Sequence, residues 1–161
     1  ALGLKAAVAL VAWAAPLSAQ DAEPSSGAID TQVWSVVSTT VVEHDIAGMA
    51  AAYHPDAVVV TPQGTMPVAR ALAGWGQAME AMKRNGSRAS VAFRFSLRQD
   101  GAETAFESGM FNYAVTDSAG AATRYIIPFE ALLVRQDARW LIVMERQFAA
   151  ADEAAWNAMA R

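Results

Sequence analysis

The chain has 161 residues, no cysteine, 54% hydrophobic and 17% charged residues, and a formal charge of -4. That apolar content excludes a disordered chain, and the length suits one domain with one core. Without cysteine there is no disulfide framework, thiolate nucleophile or thiolate-bound metal, and a mildly acidic surface does not attract nucleic-acid phosphate.

The chain begins ALGLKAAVALVAWAAPLSAQ. Lys5 precedes an apolar run from Ala6 to Ala15, and small residues follow up to Ala19, the layout of a secretory signal. This predicts a signal peptide over residues 1–19, cleavage near Ala19, and a periplasmic or secreted mature protein. The apolar run is shorter than the roughly 20 residues of a spanning helix, so no stable membrane insertion is expected after cleavage. Residues 20–28 read as a flexible lead-in rich in small and turn-forming residues.

Asp30 or Thr31 is a candidate cap for a first helix in which Val33, Trp34, Val37, Val41 and Val42 recur at helical spacing. A second short helix is expected over Ile46–Tyr53, ended by His54-Pro55, since proline cannot continue the ladder. AVVVT (Ala57–Thr61) reads as a strand and Pro62-Gln63-Gly64 as a turn. A third helix is expected over Ala69–Met82, stopped by Asn85-Gly86. Four strands joined by short turns follow: Ala89–Arg98, Thr104–Val115, Thr123–Arg135 and Arg139–Gln147. The third has two apolar faces, which an antiparallel sheet rarely leaves in water, so a partner subunit is expected to cover one of them. Residues 149–161 form a tail, expected to be helical, with Trp156 and Met159 available for docking.

The predicted class is therefore α+β: a cone-shaped curved antiparallel sheet wrapped around N-terminal helices, in the order helix-helix-strand-helix and then four strands. HDIAGMAAAYHPDAVVVTPQG (His44–Gly64), GMFNYAVTDSAG (Gly109–Gly120) and EALLVRQDARWLIVMERQ (Glu130–Gln147) together give the chain a recognisable pattern. In these segments it resembles the nuclear transport factor 2-like superfamily, in its SnoaL-like and ketosteroid-isomerase-like branch. The resemblance covers the domain over residues 29–148. It implies a cone-shaped pocket, but the superfamily holds isomerases, dehydratases, hydrolases, cyclases and assembly domains, so fold alone selects none of them.

For a ketosteroid-type isomerase the resemblance puts the carboxylate base at Thr61, the donor tyrosine at Val37 and the donor carboxylic acid at Glu130. A threonine hydroxyl is too weak a base and valine cannot donate, so only Glu130 keeps a usable group. Glu130 interrupts IIPFEALLV, where a carboxylate would need a partner or a pocket. Arg124 shares its strand parity, while Glu145 and Arg146 lie nearer across the closing hairpin. Glu130 and Arg124 are the candidate catalytic pair. Trp34, Tyr53, Thr61, Trp75, Met79, Phe93, Met110 and Met144 are the candidate pocket wall. Arg94 and Arg98 read as a solvated face.

No cofactor motif is present, and His44 and His54, ten residues apart, lack helical metal-ligand spacing. The expected function is binding of a small apolar or amphipathic ligand in the cone by an exported homodimer paired through the convex face of the sheet. The alternatives are a lyase, isomerase or hydrolase using Glu130 as general acid/base, and a non-catalytic assembly domain with a filled core.

Overall fold

The computed structural model describes residues 25–159, so the expected signal peptide lies outside the described residues. Helix α1 (Ser25–Ile29) runs without a break through one wide turn (Asp30–Trp34) into α2 (Ser35–Glu43). The turn is π-helical, with the Ser35 N–H donating to the Asp30 carbonyl five residues back. Ser25 to Ala28 are therefore helical, which corrects the expectation of a flexible lead-in for that part of residues 20–28. His44, in left-handed conformation at φ 54°, ends α2. The Asp45 carboxylate then accepts from the Gly48 N–H at 3.0 Å and starts α3 (Ile46–Ala50).

Strand β1 (Tyr53–Thr61) turns into a short β2 (Gly64–Pro67), and α4 (Val68–Asn85) follows. Gly86, at φ 73°, ends α4. Its last turn carries Lys83 and Arg84, which suit the negative end of the helix dipole. Strands β3 (Arg88–Asp100), β4 (Thr104–Thr116), β5 (Ala122–Gln136) and β6 (Arg139–Gln147) form an antiparallel meander. Asp152 caps the terminal α5 (Glu153–Ala158), which lies within the tail of residues 149–161.

The sheet order is β2-β1-β6-β5-β4-β3, with β1 parallel to β6 and every other pairing antiparallel. The sheet is curved, unclosed and mixed; the parallel pair and β2 are the two departures from the predicted layout. Tyr53 starts β1 and does not end the preceding helix.

Helices α1, α2 and α4 lie against the concave face. Ile29, Val33, Leu133 and Ile142 have no accessible surface there, and Trp140 has 2%. Burial of a side chain of this size is worth about 1.5–3 kcal/mol. No helix among the described residues is long and apolar enough to cross a membrane.

Two irregularities in register decide which side chains face inward. Phe95 pairs with Gly109 and Leu97 with Ser108, which leaves Ser96 unpaired as the extra residue of a bulge in β3. Leu132 pairs with Met144 and Leu133 with Ile142, which leaves Val143 as the extra residue in β6. Beyond each bulge the alternation of faces is shifted by one residue. Gly109 sits at the first of them, and a Cβ there would lie 2.0 Å from the Arg94 carbonyl oxygen. Gly109→Ala must displace the β3 backbone and should cost about 3 kcal/mol or more, at the upper end for overpacking. Gly74→Ala, in open space within α4, should instead stabilise by about 0.4–1 kcal/mol. Urea midpoints of the two variants test the contrast; equal midpoints would show that β3 is not held against Gly109.

Candidate functional site

A partly enclosed cavity of about 330 Å³ opens between α2, α4 and the concave face. Of the expected pocket wall, Trp34, Tyr53, Trp75, Met79 and Phe93 line it. Thr61, Met110 and Met144 do not. The Thr61 hydroxyl accepts from the Gln63 N–H at 3.3 Å, so it belongs to the β1–β2 turn. Met110 pairs with Arg94 and Pro128, on the face opposite Phe111, which lines the cavity. Met144 pairs with Val58 and Leu132, both about two-fifths exposed on the outer face. The Val143 bulge turned it there.

Glu130 and Arg124 are not in the cavity. Glu130 alternates with Phe129, a cavity residue, and so points to the outer face, where its carboxylate lies 3.8 Å from the Arg146 guanidinium. Arg124 pairs with Glu153 at 3.2 Å in solvent. The two do not meet each other, and acid–base work by Glu130 on a ligand in the cone is excluded by the face it occupies. The position matched to the donor tyrosine, Val37, does line the cavity but offers no donor.

The carboxylate that reaches the cavity is Glu145. It is 6% exposed. The Tyr53 hydroxyl donates to its Oε2 at 2.6 Å, and the Gln147 amide donates to its Oε1 at 2.7 Å. Burial pushes the Glu145 carboxyl above its usual range, against the pull of these two hydrogen bonds. Burial, and then the nearby Glu145 charge, holds the Tyr53 phenol well above its usual value, so Tyr53 stays a neutral donor. Trp75 stands beside this cluster, its ring 6.1 Å from that of Tyr53.

A second buried carboxylate, Glu107, anchors the wall. It has no accessible surface. The Trp34 indole N–H donates to it at 2.5 Å and Arg98 Nε at 2.7 Å. Arg98 also bonds Asp30 at 2.6 Å and lies over the Phe95 ring at 4.2 Å. Burial pushes the Glu107 carboxyl up, opposed by Trp34 and Arg98. Arg98 is thus no solvated side chain: the Ser96 bulge turned it inward, opposite Glu107. Arg94 is also engaged, donating to the Trp156 carbonyl and stacking on its ring at 4.1 Å, which fastens the C-terminal tail to the sheet.

Neither histidine enters the cavity lining: His44 closes α2, and His54 Nδ1 accepts from the Asp56 N–H at 3.1 Å. Glu107 carried a readable signal, because it shares strand parity with Phe111 and Tyr113. Glu145 carried none, because simple alternation sets it opposite Ile142 and Trp140.

No protein-family model matches the chain, and no curated protein sequence matches it. Solved structures do. A conserved protein from Planctomyces limnophilus superposes with a TM-score of 0.65 at 16% identity, over 78% of this chain and 97% of the other. A ketosteroid isomerase-like protein from Erwinia carotovora gives 0.57 at 16% identity, over 81% and 98%. A nuclear transport factor 2-like protein of unknown function from Shewanella oneidensis gives 0.51 at 15% identity, over 73% and 94%. The chain has the nuclear transport factor 2-like fold.

Because Glu145 holds its proton more tightly in the folded chain than in the unfolded one, its contribution to stability is fully present below about pH 4.3. It is lost as pH rises through the raised folded value. Glu145→Gln removes this dependence. Its stability relative to wild type should therefore rise with pH above about 4.3 and then level off. Denaturation of both proteins across pH measures this; a difference that stays flat with pH would mean that Glu145 is not desolvated.

Proposed function

We propose that this chain is an exported binding domain that holds a small, largely apolar ligand in the cavity, oriented by Tyr53, Glu145 and Gln147. The observation that carries the reading is the composition of the wall. Aromatic and methionine side chains surround a space of about 330 Å³, and a single hydrogen-bonded polar cluster breaks it. Ligand sites combine an apolar lining with a few placed polar groups in this way. An open space beside Trp34 and Met79 argues against the filled core of an assembly domain.

Acid–base chemistry on the bound ligand is a second reading, favoured by a desolvated carboxyl beside a neutral phenol in the same cavity. Conversion of a bound ligand, lost in Glu145→Gln, would separate it from simple binding.

Calorimetric titration with 1-naphthalenemethanol tests the binding reading. Saturable one-to-one binding with a negative heat-capacity change is expected. Ala78 is an exposed residue at the cavity wall. Ala78→Phe should leave the fold intact and weaken binding tenfold or more. Equal binding by this variant would move the ligand out of the cavity.

We also propose a homodimer through the outer face of the sheet. Val58, Leu97 and Leu132 are exposed there at 40%, 42% and 39%. Glu130 and Arg146 lie side by side among them, so a two-fold copy can meet each charge with its opposite. Light scattering should give twice the chain mass for wild type and a single mass for Leu132→Glu. A wild-type monomer would end the proposal.

A further inference from the structure

Among the described residues two carboxylates are buried against the concave face, and the fold treats them differently. Glu107 receives a neutral N–H from Trp34 and a cation, Arg98, which itself lies on the Phe95 ring. Its negative charge is matched inside the protein. Glu145 receives a neutral O–H from Tyr53 and a neutral N–H from Gln147, and it faces aromatic rings. Among the described residues no lysine, arginine or histidine lies within ion-pair range of it. The neighbouring Arg146 points to the outer face and pairs with Glu130.

A buried carboxylate that only accepts neutral hydrogen bonds is uncompensated, and a partner of opposite charge stabilises it strongly. Both of its hydrogen-bond partners, Tyr53 and Gln147, are neutral, so neither offsets a charge on the carboxylate. The space in front of it is walled by Trp34, Tyr53, Trp75 and Phe93. The faces of tryptophan, tyrosine and phenylalanine attract cations, tryptophan most strongly. The cavity thus offers what Arg98 finds at Glu107, a carboxylate and aromatic faces, without a cation of the chain's own to fill it.

We infer that the ligand of this cavity carries a positive charge: a small ammonium or amidinium compound with an apolar body, whose cation pairs with Glu145 among the rings of Tyr53 and Trp75. The inference rests on the binding reading above and names the chemical class of its ligand. It also excludes carboxylates and phosphates of similar shape, which would meet the Glu145 charge with no donor cation to offset it.

Three probes of one shape and different charge test it by calorimetry at neutral pH: 1-naphthylmethylammonium, 1-naphthalenemethanol and 1-naphthoate. The ammonium is expected to bind at least tenfold more tightly than the alcohol, and the naphthoate not at all. Glu145→Gln should abolish the preference of the ammonium over the alcohol. A wild-type ratio below tenfold, or one reversed in favour of the alcohol or the naphthoate, overturns the charge assignment and leaves the apolar-ligand reading standing. A preference retained in folded Glu145→Gln also overturns it, since the cation would then pair elsewhere. Failure of all three probes to bind the folded wild type would remove both readings together. The wild-type series decides by itself should the variant not fold.

Discussion

The clamp formed by Trp34, Glu107, Arg98 and Asp30 sets the position of the first helix, and the cavity depends on that position. An unclosed curved sheet has no edge-to-edge pairing to complete its shape; its concave face must be covered by something held at a defined distance. Glu107 has no accessible surface and bonds both the indole of Trp34 and the guanidinium of Arg98. Arg98 reaches on to Asp30 in the wide turn of the same helix. Removing one partner of such a buried ionic set typically costs about 3–5 kcal/mol, because the other charge is left without compensation. The strength of the clamp lies in that asymmetry more than in the attraction itself.

Trp34 belongs to both the clamp and the cavity. Its N–H is held by Glu107 and its ring packs on Phe93, Phe95 and Phe129 at centroid distances of 4.8, 5.6 and 5.4 Å. A tryptophan fixed at its polar end and packed along its rings cannot rotate into the open space. Val33 and Trp34, at the end of the π-helical turn, are both buried. On the opposite wall, α4 brings Trp75 and Met79, and β1 brings Tyr53 to Glu145. Space remains because rigid elements hold both walls apart.

Two of the polar side chains of the interior, Arg98 and Glu145, trace to bulges. Each inserts one residue, Ser96 in β3 and Val143 in β6, and each turns an acidic or basic side chain from the outer to the inner face. Arg98 becomes the partner of Glu107, and Glu145 becomes the polar end of the cavity. In the same step Leu97 and Met144 move outward. Leu97 and Met144 outside, and Arg98 and Glu145 inside, are thus results of one pair of backbone irregularities.

Much of the architecture was legible in the sequence by itself. Helical spacing, the stop at Gly86 and the alternation from Ala89 as far as Phe95 depend on neighbours a few residues apart, and local chain geometry is set at that range. The aromatic wall was legible too, since Trp34, Tyr53, Trp75 and Phe93 are large apolar side chains that must be buried somewhere. What only the tertiary structure decided was the face that each strand residue presents. β5 is apolar on both sides, so its own pattern could not tell whether Glu130 looks in or out. A bulge is defined by the partner strand, and nothing local to Val143 or Ser96 announces that the opposite chain skips a residue there. The carboxylate that faces the cavity was therefore settled by register, a long-range property, and register made it Glu145.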